Sequence, residues 1–220
     1  MDRVIFYFDP RCPWCYQTAR WVRRLAELGE VDLDWRVFSL EVVNRPDDTD
    51  AADLEVTGSP ALRTAVLVAE EHGSQALGPF YAGLGKRTFE TVPPASDPME
   101  MIRDALTEAG LDPELCDRAL ADSATWKAVV DSTERVVERI GKLGVPTIVL
   151  DDEDGPMMFG PVVSELPPDD EAVELWRHTA WLVRNDNFSE LKRSRSRPPD
   201  LPVIEWYREQ RAAAAAAAKD

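Results

Sequence analysis

Two cysteines separated by two residues are the feature of this sequence whose spacing most directly predicts a reaction. They form the run Cys12-Pro13-Trp14-Cys15. Thiol–disulfide exchange needs a thiolate that attacks a disulfide and a second thiol close enough to resolve the mixed disulfide. If the run opens a helix, residues i and i+3 share one face, so Cys12 and Cys15 can pair with little backbone movement. The spacing therefore predicts a redox-active dithiol.

The start of a helix would also give the two thiols different roles. Cys12 would lie where unpaired amide N–H groups and the positive end of the helix dipole converge, which favours a thiolate and predicts a lowered pKa. Cys15, deeper in the helix, would feel less of this field. Pro13 lacks an N–H that would be unpaired anyway, and its φ is preset for the helix. We therefore predict that Cys12 is the nucleophile and Cys15 the resolving thiol.

The flanking residues predict the strand-to-helix setting that this chemistry needs. Val4–Phe8 is an apolar, β-rich run, residues 13–28 place apolar side chains at helical spacing, and residues 31–38 alternate between apolar and polar. The arginines of the helix are expected mostly on its wetter face: Arg20, Arg23 and Arg24. Strand, helix and strand at these distances make a right-handed βαβ unit with parallel strands.

The remainder of the chain predicts a block of helices, a hairpin and a final helix. Residues 39–58 are polar and Asp-rich, which favours an irregular connection, and residues 59–141 have helical patterns almost throughout. Strand patterns return at 145–150 and 157–159, and an amphipathic helix follows at 168–185. An α/β, thioredoxin-like fold accounts for every segment: β-α-β, then β-β-α, in one mixed sheet with an all-helical insertion.

This order of elements predicts three parts. Residues 1–58 and 142–200 would form a discontinuous thioredoxin-like domain, residues 59–141 an inserted helical domain, and residues 201–220 a C-terminal tail. Within the insertion, three capping residues followed by proline predict helix starts: Ser59-Pro60, Asp97-Pro98 and Asp112-Pro113.

A proline at the start of the third strand is the second candidate element of the site. The sequence there is Gly144-Val145-Pro146-Thr147. An X-Pro bond in this position is a candidate for a cis peptide, which would expose the preceding backbone for pairing with a bound thiol substrate. Because a Cys-x-x-Cys helix lies upstream, we predict that the Val145–Pro146 bond is cis.

Zinc binding and simple burial are the alternative roles for these cysteines. A zinc site needs four ligands, and the other candidates, Cys116, His72 and His178, lie far apart with no second close pair. We therefore predict no metal site and assign Cys116 to the core of a helix. Incidental burial of Cys12 and Cys15 as small apolar residues stays an alternative, which the strand-to-helix setting disfavours.

Charge excludes two classes of partner. The chain carries 41 acidic against 25 basic residues, a formal net charge of −16. Such a field repels phosphate backbones and anionic lipids, so we expect neither nucleic-acid nor membrane partners. Lys192–Arg197 is a local basic run that is either solvated or in contact with an acidic partner or with its own protein surface.

The N-terminus predicts the compartment. Met1-Asp2-Arg3 leads directly into the first strand, without the apolar segment and cleavage site of a secretion signal. We therefore expect a cytoplasmic protein. Cysteine pairs in that compartment are more often catalytic or metal-binding than structural.

Several stretches together resemble a known family. The run from Phe8 to Cys15, the Val145-Pro146-Thr147 strand and the helical insertion are similar to the DsbA family of thioredoxin-fold proteins. More narrowly, the chain resembles the cytoplasmic mycothiol-dependent nitroreductases of actinobacteria. Shorter matches carry the narrower resemblance: Ser39-Leu40 with Asn44, Arg63, Glu70 to Gly73, Phe159 to Val162 with Ser164 and Pro167, and Glu190 to Arg193 with Arg195 and Pro198-Pro199.

The resemblance implies an enzyme whose reduced dithiol passes electrons to a substrate and is regenerated by the low-molecular-weight thiol mycothiol, with no tightly bound cofactor. Disulfides and nitro-aromatic compounds are the implied substrates, and a homodimer is the implied assembly. The catalytic pair would be Cys12 and Cys15. The implied substrate-binding residues are Pro13, Trp14, Asn44, Val145 and Pro146. Two departures concern the pocket: Val145 stands where these relatives tend to have Thr, and the connection after Asn44 is shortened.

Two other functions fit the same residues. One is a protein disulfide isomerase or oxidase of the DsbA family, which a measured reduction potential would distinguish from a reductase. The other is a non-catalytic binding or chaperone-like protein in which the dithiol acts as a redox sensor. Turnover of a disulfide or nitro compound would separate the enzymes from the sensor.

Overall fold

The computed structural model describes residues 1–46, 48–51, 54 and 59–217. Its four strands are β1 (Asp2–Phe8), β2 (Val31–Val37), β3 (Thr147–Leu150) and β4 (Met157–Phe159), and they form one sheet in the order β2-β1-β3-β4. Strands β1 and β2 are parallel, whereas β3 lies antiparallel to both β1 and β4. The mixed sheet, the parallel βαβ unit and the hairpin are as the sequence predicts.

Helix α1 (Pro13–Glu27) connects β1 to β2 and carries the dithiol at its start. Its apolar side is anchored by Trp21, which is fully buried and contacts Trp176 of helix α8 (Asp169–Arg184) at a centroid distance of 6.1 Å. The indole N–H of Trp21 donates to the Ala172 carbonyl at 3.2 Å, so the polar atom of this buried ring is satisfied. Helix α8 therefore fixes the position of α1 on the sheet.

Part of the connection that was predicted to be irregular forms a short helix, α2 (Leu40–Val43). Ser39 caps it, because its hydroxyl accepts from the Val42 N–H at 3.2 Å, and both Val42 and Val43 are buried. Residues 47, 52, 53 and 55–58 of that connection lie outside the described residues.

After α2, the described part of the chain forms five further α-helices before β3: α3 (Ser59–His72), α4 (Leu77–Gly85), α5 (Pro98–Glu108), α6 (Leu115–Ala121) and α7 (Ser123–Ile140). Asp97 caps α5 as predicted, with its carboxylate accepting from the Met99 amide at 2.9 Å. At the third predicted start, Asp112 accepts from the Glu114 amide at 2.9 Å, and Pro113 and Glu114 form the turn that leads into α6 at Leu115. The division into domains at residues 59 and 141 stays a prediction.

Helix α9 (Pro202–Ala217) ends the described chain, in the segment predicted as a tail. It contacts the π-helical turn Lys86–Glu90 that continues α4, and its buried side chain Val203 joins the core. None of the described helices is both long and apolar enough to cross a membrane.

An aromatic cluster joins the inserted helices to the sheet beneath the dithiol. The ring of Tyr81 on α4 stacks on Phe8 of β1 at a centroid distance of 4.1 Å and meets Trp35 of β2 edge-on at 5.7 Å. Tyr16 of α1 contacts the same Tyr81 ring at 5.9 Å. Rings from two strands, α1 and α4 are therefore packed as one unit.

Close approach within this cluster requires glycine at position 85. A Cβ built there would lie 2.0 Å from the buried ring of Tyr16. We predict that Gly85→Ala lowers the free energy of unfolding by about 1–3 kcal/mol, the usual cost of overpacking. Gly83→Ala is the matched control on the same helix, since its Cβ would make an ordinary 3.5 Å contact. Urea unfolding checks both, and equal stability of the two variants would contradict this account.

Candidate active site

Cys12 and Cys15 lie at the first turn of α1 with unequal exposure. Cys12 is the N-cap residue, with extended backbone at φ −87° and ψ 110°, and its Sγ accepts from the Cys15 N–H at 3.4 Å. Both thiols are free. Cys12 keeps 8% of its surface exposed, whereas Cys15 keeps none. Only Cys12 can therefore meet a substrate sulfur first, while Cys15 can be reached only from Cys12.

The loop before β3 faces Cys12. The Val145–Pro146 peptide bond is cis, as predicted. The carbonyl oxygen of Val145 lies 4.0 Å from Cys12 Sγ, so this loop brings a backbone acceptor next to the nucleophile. The hydroxyl of Thr147 donates to the Gly144 carbonyl at 2.7 Å and holds the loop against the strand.

Asp9 organises the loop between β1 and α1. Its carboxylate accepts from the Arg11 amide and from the Leu40 amide, each at 2.8 Å, and the residue is buried. Burial raises the pKa of Asp9, while these two amide hydrogen bonds oppose the rise. Asp9 was not among the residues predicted for the site. The signal that indicates its role is the Asp-Pro-Arg spacing of an Asx turn, in which a side chain accepts from the backbone two residues on.

The pKa of Cys12 is shifted in the direction opposite to the one predicted, because the residue is buried. Burial raises the pKa of Cys12, the amides of Cys15 and Trp14 and the charge of Arg195 lower it, and the charge of Asp9 raises it. The net direction is upward. The helix amides act as the sequence predicts, but the cost of removing a thiolate from water outweighs them.

The basic run at 192–197 contacts the site. The guanidinium of Arg195 lies 4.7 Å from the centroid of the Trp14 ring, a cation–π contact. Arg197 pairs with Glu165 at 3.2 Å, and the Asp200 amide donates to the Ser164 carbonyl at 2.7 Å. Of the two roles left open for this run, contact with its own protein surface is therefore present.

The other predicted substrate-binding residues differ in how directly they face the thiols. Pro13 is the first residue of α1, and Pro146 is buried beside Val145 in the loop opposite. Asn44 is exposed at the end of α2, and its side-chain amide donates to the Leu40 carbonyl at 2.7 Å. It is linked to the site through Leu40, whose amide binds Asp9.

The remaining candidate ligands are not brought together. Cys116 is fully buried with its Sγ 4.0 Å from Met99 Sδ, in agreement with a core role. His178 is exposed on α8 beside Glu174. Within the described part of the chain, no group of three or more His, Cys, Asp or Glu side chains is arranged to hold a metal ion.

One expectation for α1 is wrong. Arg23 was predicted on the solvent face, yet its guanidinium lies among three aromatic rings, 5.1 Å from Tyr81, 5.2 Å from Trp35 and 5.6 Å from Tyr16. Helical periodicity places residue 23 correctly at the edge of the apolar face, but it cannot show that a second layer of helices covers that edge.

Comparison with known proteins supports the class that this geometry suggests. The model of the family of the mycothiol-dependent nitroreductase Rv2466c matches residues 11–193. The uncharacterized protein Rv2286c of Mycobacterium tuberculosis is 33% identical over 211 residues, covering 93% of this chain and 86% of that protein.

Two solved structures have a similar fold. The cytosolic disulfide reductase DsbM from Pseudomonas aeruginosa has a TM-score of 0.53 at 18% identity, covering 82% of this chain and 99% of DsbM. The 2-hydroxychromene-2-carboxylate isomerase has a TM-score of 0.52 at 18% identity, covering 83% of this chain and 96% of that structure. At such low identity they support the fold alone.

The chain is thus an enzyme, a thiol–disulfide oxidoreductase with a thioredoxin-like fold. The match over most of its length makes the assignment narrower: it belongs to the family of the mycothiol-dependent nitroreductase Rv2466c. The predicted fold class, enzyme class and family are confirmed.

The Arg195 contact generates a prediction about the nucleophile. Arg195→Gln removes a positive charge that lowers the pKa of Cys12, so that pKa should rise further. Site-resolved alkylation of Cys12 followed by mass spectrometry should show its pH midpoint moving upward. Arg193→Gln is the matched control, because it removes one charge from the same basic run and leaves the Trp14 contact in place. Equal midpoints for both variants would contradict a specific effect of Arg195.

Proposed function

We propose that this protein is a cytoplasmic, mycothiol-dependent reductase of disulfides or nitro-aromatic compounds, with Cys12 as nucleophile and Cys15 as resolving thiol. The observation that carries the proposal is the unequal burial of the two thiols, since 8% of Cys12 is exposed and Cys15 is fully buried. The family name supports mycothiol as the co-substrate. A solved complex of DsbM with GSH, at 15% identity and a TM-score of 0.53, is consistent with a small-thiol partner for this fold.

The reductive half-reaction follows from this arrangement. The Cys12 thiolate attacks one sulfur of a substrate disulfide, and the other sulfur leaves as a thiol after taking up a proton. Cys15 then attacks Cys12 Sγ, so that the Cys12–Cys15 disulfide forms and the second substrate thiol departs. The enzyme loses two electrons, which the substrate gains. For a nitro group, the same two electrons and two protons would give a nitroso group and water.

Mycothiol closes the cycle in two exchanges. One mycothiol thiolate attacks Cys12 Sγ, which releases Cys15 as a thiol and leaves mycothiol joined to Cys12. A second mycothiol then attacks the mycothiol sulfur of this bond, which releases Cys12 and forms mycothiol disulfide. Attack at Cys12 is favoured in both directions because Cys12 is the cysteine of the pair that keeps some exposed surface.

The substrate pocket is proposed around the same sulfur. The half-buried Trp14 ring would support an aromatic or sugar ring, and Pro13 and Pro146 would border it. The Val145 carbonyl, 4.0 Å from Cys12 Sγ, would accept a hydrogen bond from an amide of a bound thiol. Asn44, at the end of α2, would contact the substrate at the edge of the pocket.

Cysteine variants test the proposal. With mycothiol, Cys12→Ser should lower kcat/KM by about 10³-fold or more, the order expected when a nucleophile is removed. Cys15→Ser should accumulate a Cys12–mycothiol mixed disulfide, detected by the added mass on the intact protein. Cys116→Ser is the matched control and should keep full activity, because that thiol lies in the core.

Two results would overturn this function. Full activity of Cys12→Ser would exclude Cys12 as the nucleophile. Regeneration of the dithiol by glutathione but not by mycothiol would exclude mycothiol as the co-substrate. Absence of turnover on every disulfide and nitro compound would favour the redox-sensor alternative.

The raised pKa of Cys12 favours a reductase over an oxidase. Strong oxidants of this fold owe their potential to a stabilised thiolate in the reduced form. Here burial raises the pKa of Cys12 and withholds that stabilisation. We expect a reduction potential closer to about −270 mV, as in thioredoxin, than to about −120 mV, as in DsbA. Equilibration with dithiothreitol in the Cys116→Ser background measures it, and a value near the second figure would favour the disulfide oxidase alternative.

A further inference from the structure

The resolving step creates an electrostatic problem at Cys15. Its thiol must become a thiolate before it can attack Cys12 Sγ. Yet Cys15 is fully buried, and its Sγ donates to the Tyr7 carbonyl at 3.7 Å, a contact that favours the neutral thiol. Burial, followed by the charge of Cys12, raises the pKa of Cys15 well above its usual value. Some group near this sulfur has to compensate for the negative charge.

Arg23 brings a positive charge, with no ion-pair partner among the described residues, to the ring of Tyr81 at the edge of this part of the core. It lies eight positions after Cys15 on α1, with its guanidinium over the rings of Tyr16, Trp35 and Tyr81. Its Nε and Nη2 are hidden from solvent and have no hydrogen-bond partner among the described residues. Leaving such donors unsatisfied costs folding free energy, so their position requires an explanation.

The Tyr81 hydroxyl is an unsatisfied donor close to the Cys15 sulfur, and a hydrogen bond between the two groups would lower the pKa of Cys15. The residue is fully buried, and its hydroxyl has no partner at hydrogen-bond geometry among the described residues. Burial and then the charge of Cys15 raise the pKa of Tyr81, so the phenol keeps its proton and stays a donor. The stack on Phe8, at 4.1 Å, holds the ring in this place.

The nearby acidic groups already have other partners. Glu90 accepts from the Tyr16 hydroxyl at 2.8 Å and lies 3.7 Å from Arg20 Nε. Both carboxylate oxygens of Asp9 accept from backbone amides. Neither acid therefore explains why the donors of Arg23 and Tyr81 point into the core.

We propose that Arg23 and Tyr81 are positioning residues for the resolving step: the guanidinium charge stabilises the Cys15 thiolate, and the Tyr81 hydroxyl donates a hydrogen bond to it. The inference rests on the proposed function, in which Cys12 has first formed a mixed disulfide. The Tyr81 hydroxyl is unsatisfied while Cys15 is a neutral thiol and gains an acceptor when that sulfur is charged, whereas Arg23 acts through its charge across the Tyr81 ring.

The step balances without a further reactant. Cys15 gives up its proton, its Sγ forms a bond to Cys12 Sγ, and the bond between Cys12 and the substrate sulfur breaks. The departing thiolate takes up the proton that Cys15 lost. Arg23 and Tyr81 keep their protons throughout, so they change the rate of the step and are not consumed in it.

A reagent disulfide separates the two chemical steps. Reduced enzyme mixed rapidly with dithiobis(nitrobenzoate) releases one coloured thiol when Cys12 attacks and a second when Cys15 resolves the mixed disulfide. The first release depends on reagent concentration and the second does not. We expect Tyr81→Phe to slow the second release about tenfold, the order of a lost hydrogen bond to a charged group, and to leave the first unchanged.

The chain offers matched controls for both residues. Tyr16→Phe removes a hydroxyl from the same ring cluster, but that hydroxyl binds Glu90, so both releases should keep their rates. Arg23→Met should slow the second release as well, and Arg23→Lys should recover part of the rate because it restores the charge. A purely structural role for Arg23 would change both releases and would not be rescued by Lys.

Three outcomes are distinguishable. A second release of unchanged rate in folded Tyr81→Phe overturns the inference and leaves the proposed function intact. A first release that persists in Cys12→Ser overturns the proposed function itself. If Arg23→Met does not fold, the comparison of Tyr81→Phe with Tyr16→Phe is sufficient to test the inference, since both variants keep the ring and its packing.

Discussion

Burial of sulfur atoms that must carry negative charge is the constraint on which the rest of this site depends. A thiolate loses stabilisation when it leaves water, and here Cys15 is fully buried while Cys12 keeps only 8% of its surface exposed. The helix amides at Cys15 and Trp14 lower the pKa of Cys12 but do not overcome that loss. Reactivity therefore depends on where positive charges and donors are placed around the first turn of α1, as well as on the dithiol sequence.

This constraint gives the inserted helices a role in the chemistry. Tyr81 comes from α4, far from the dithiol in sequence, yet its ring stacks on Phe8 at the end of β1 and contacts Tyr16 on α1. The same cluster requires Gly85, where a larger residue would displace the Tyr16 ring. The inserted helices thus pack beneath Cys15. A packing defect in them is therefore expected to change the reactivity of the Cys12–Cys15 pair.

Features encoded over short distances could be predicted from the sequence. The βαβ unit, the hairpin and the cis bond at Pro146 follow from local patterns and from the motif upstream. Features that depend on contacts between distant segments could not be predicted from the sequence. The pKa of Cys12 is raised because residues from several segments cover it, and Arg23 is enclosed because α4 covers the edge of α1. Periodicity describes one helix face and carries no information on the layer that packs against it.

The two arginines near the dithiol are held in the same way, and this has an electrostatic consequence. Arg195 lies over Trp14 next to Cys12, and Arg23 lies over three rings that include Tyr81; neither forms an ion pair within the described residues. A carboxylate would hold a guanidinium but would also cancel its field at the sulfur. An aromatic ring attracts the cation through its quadrupole and adds no net charge. Aromatic rather than acidic contacts therefore keep both positive charges in place and leave them available to the thiolates.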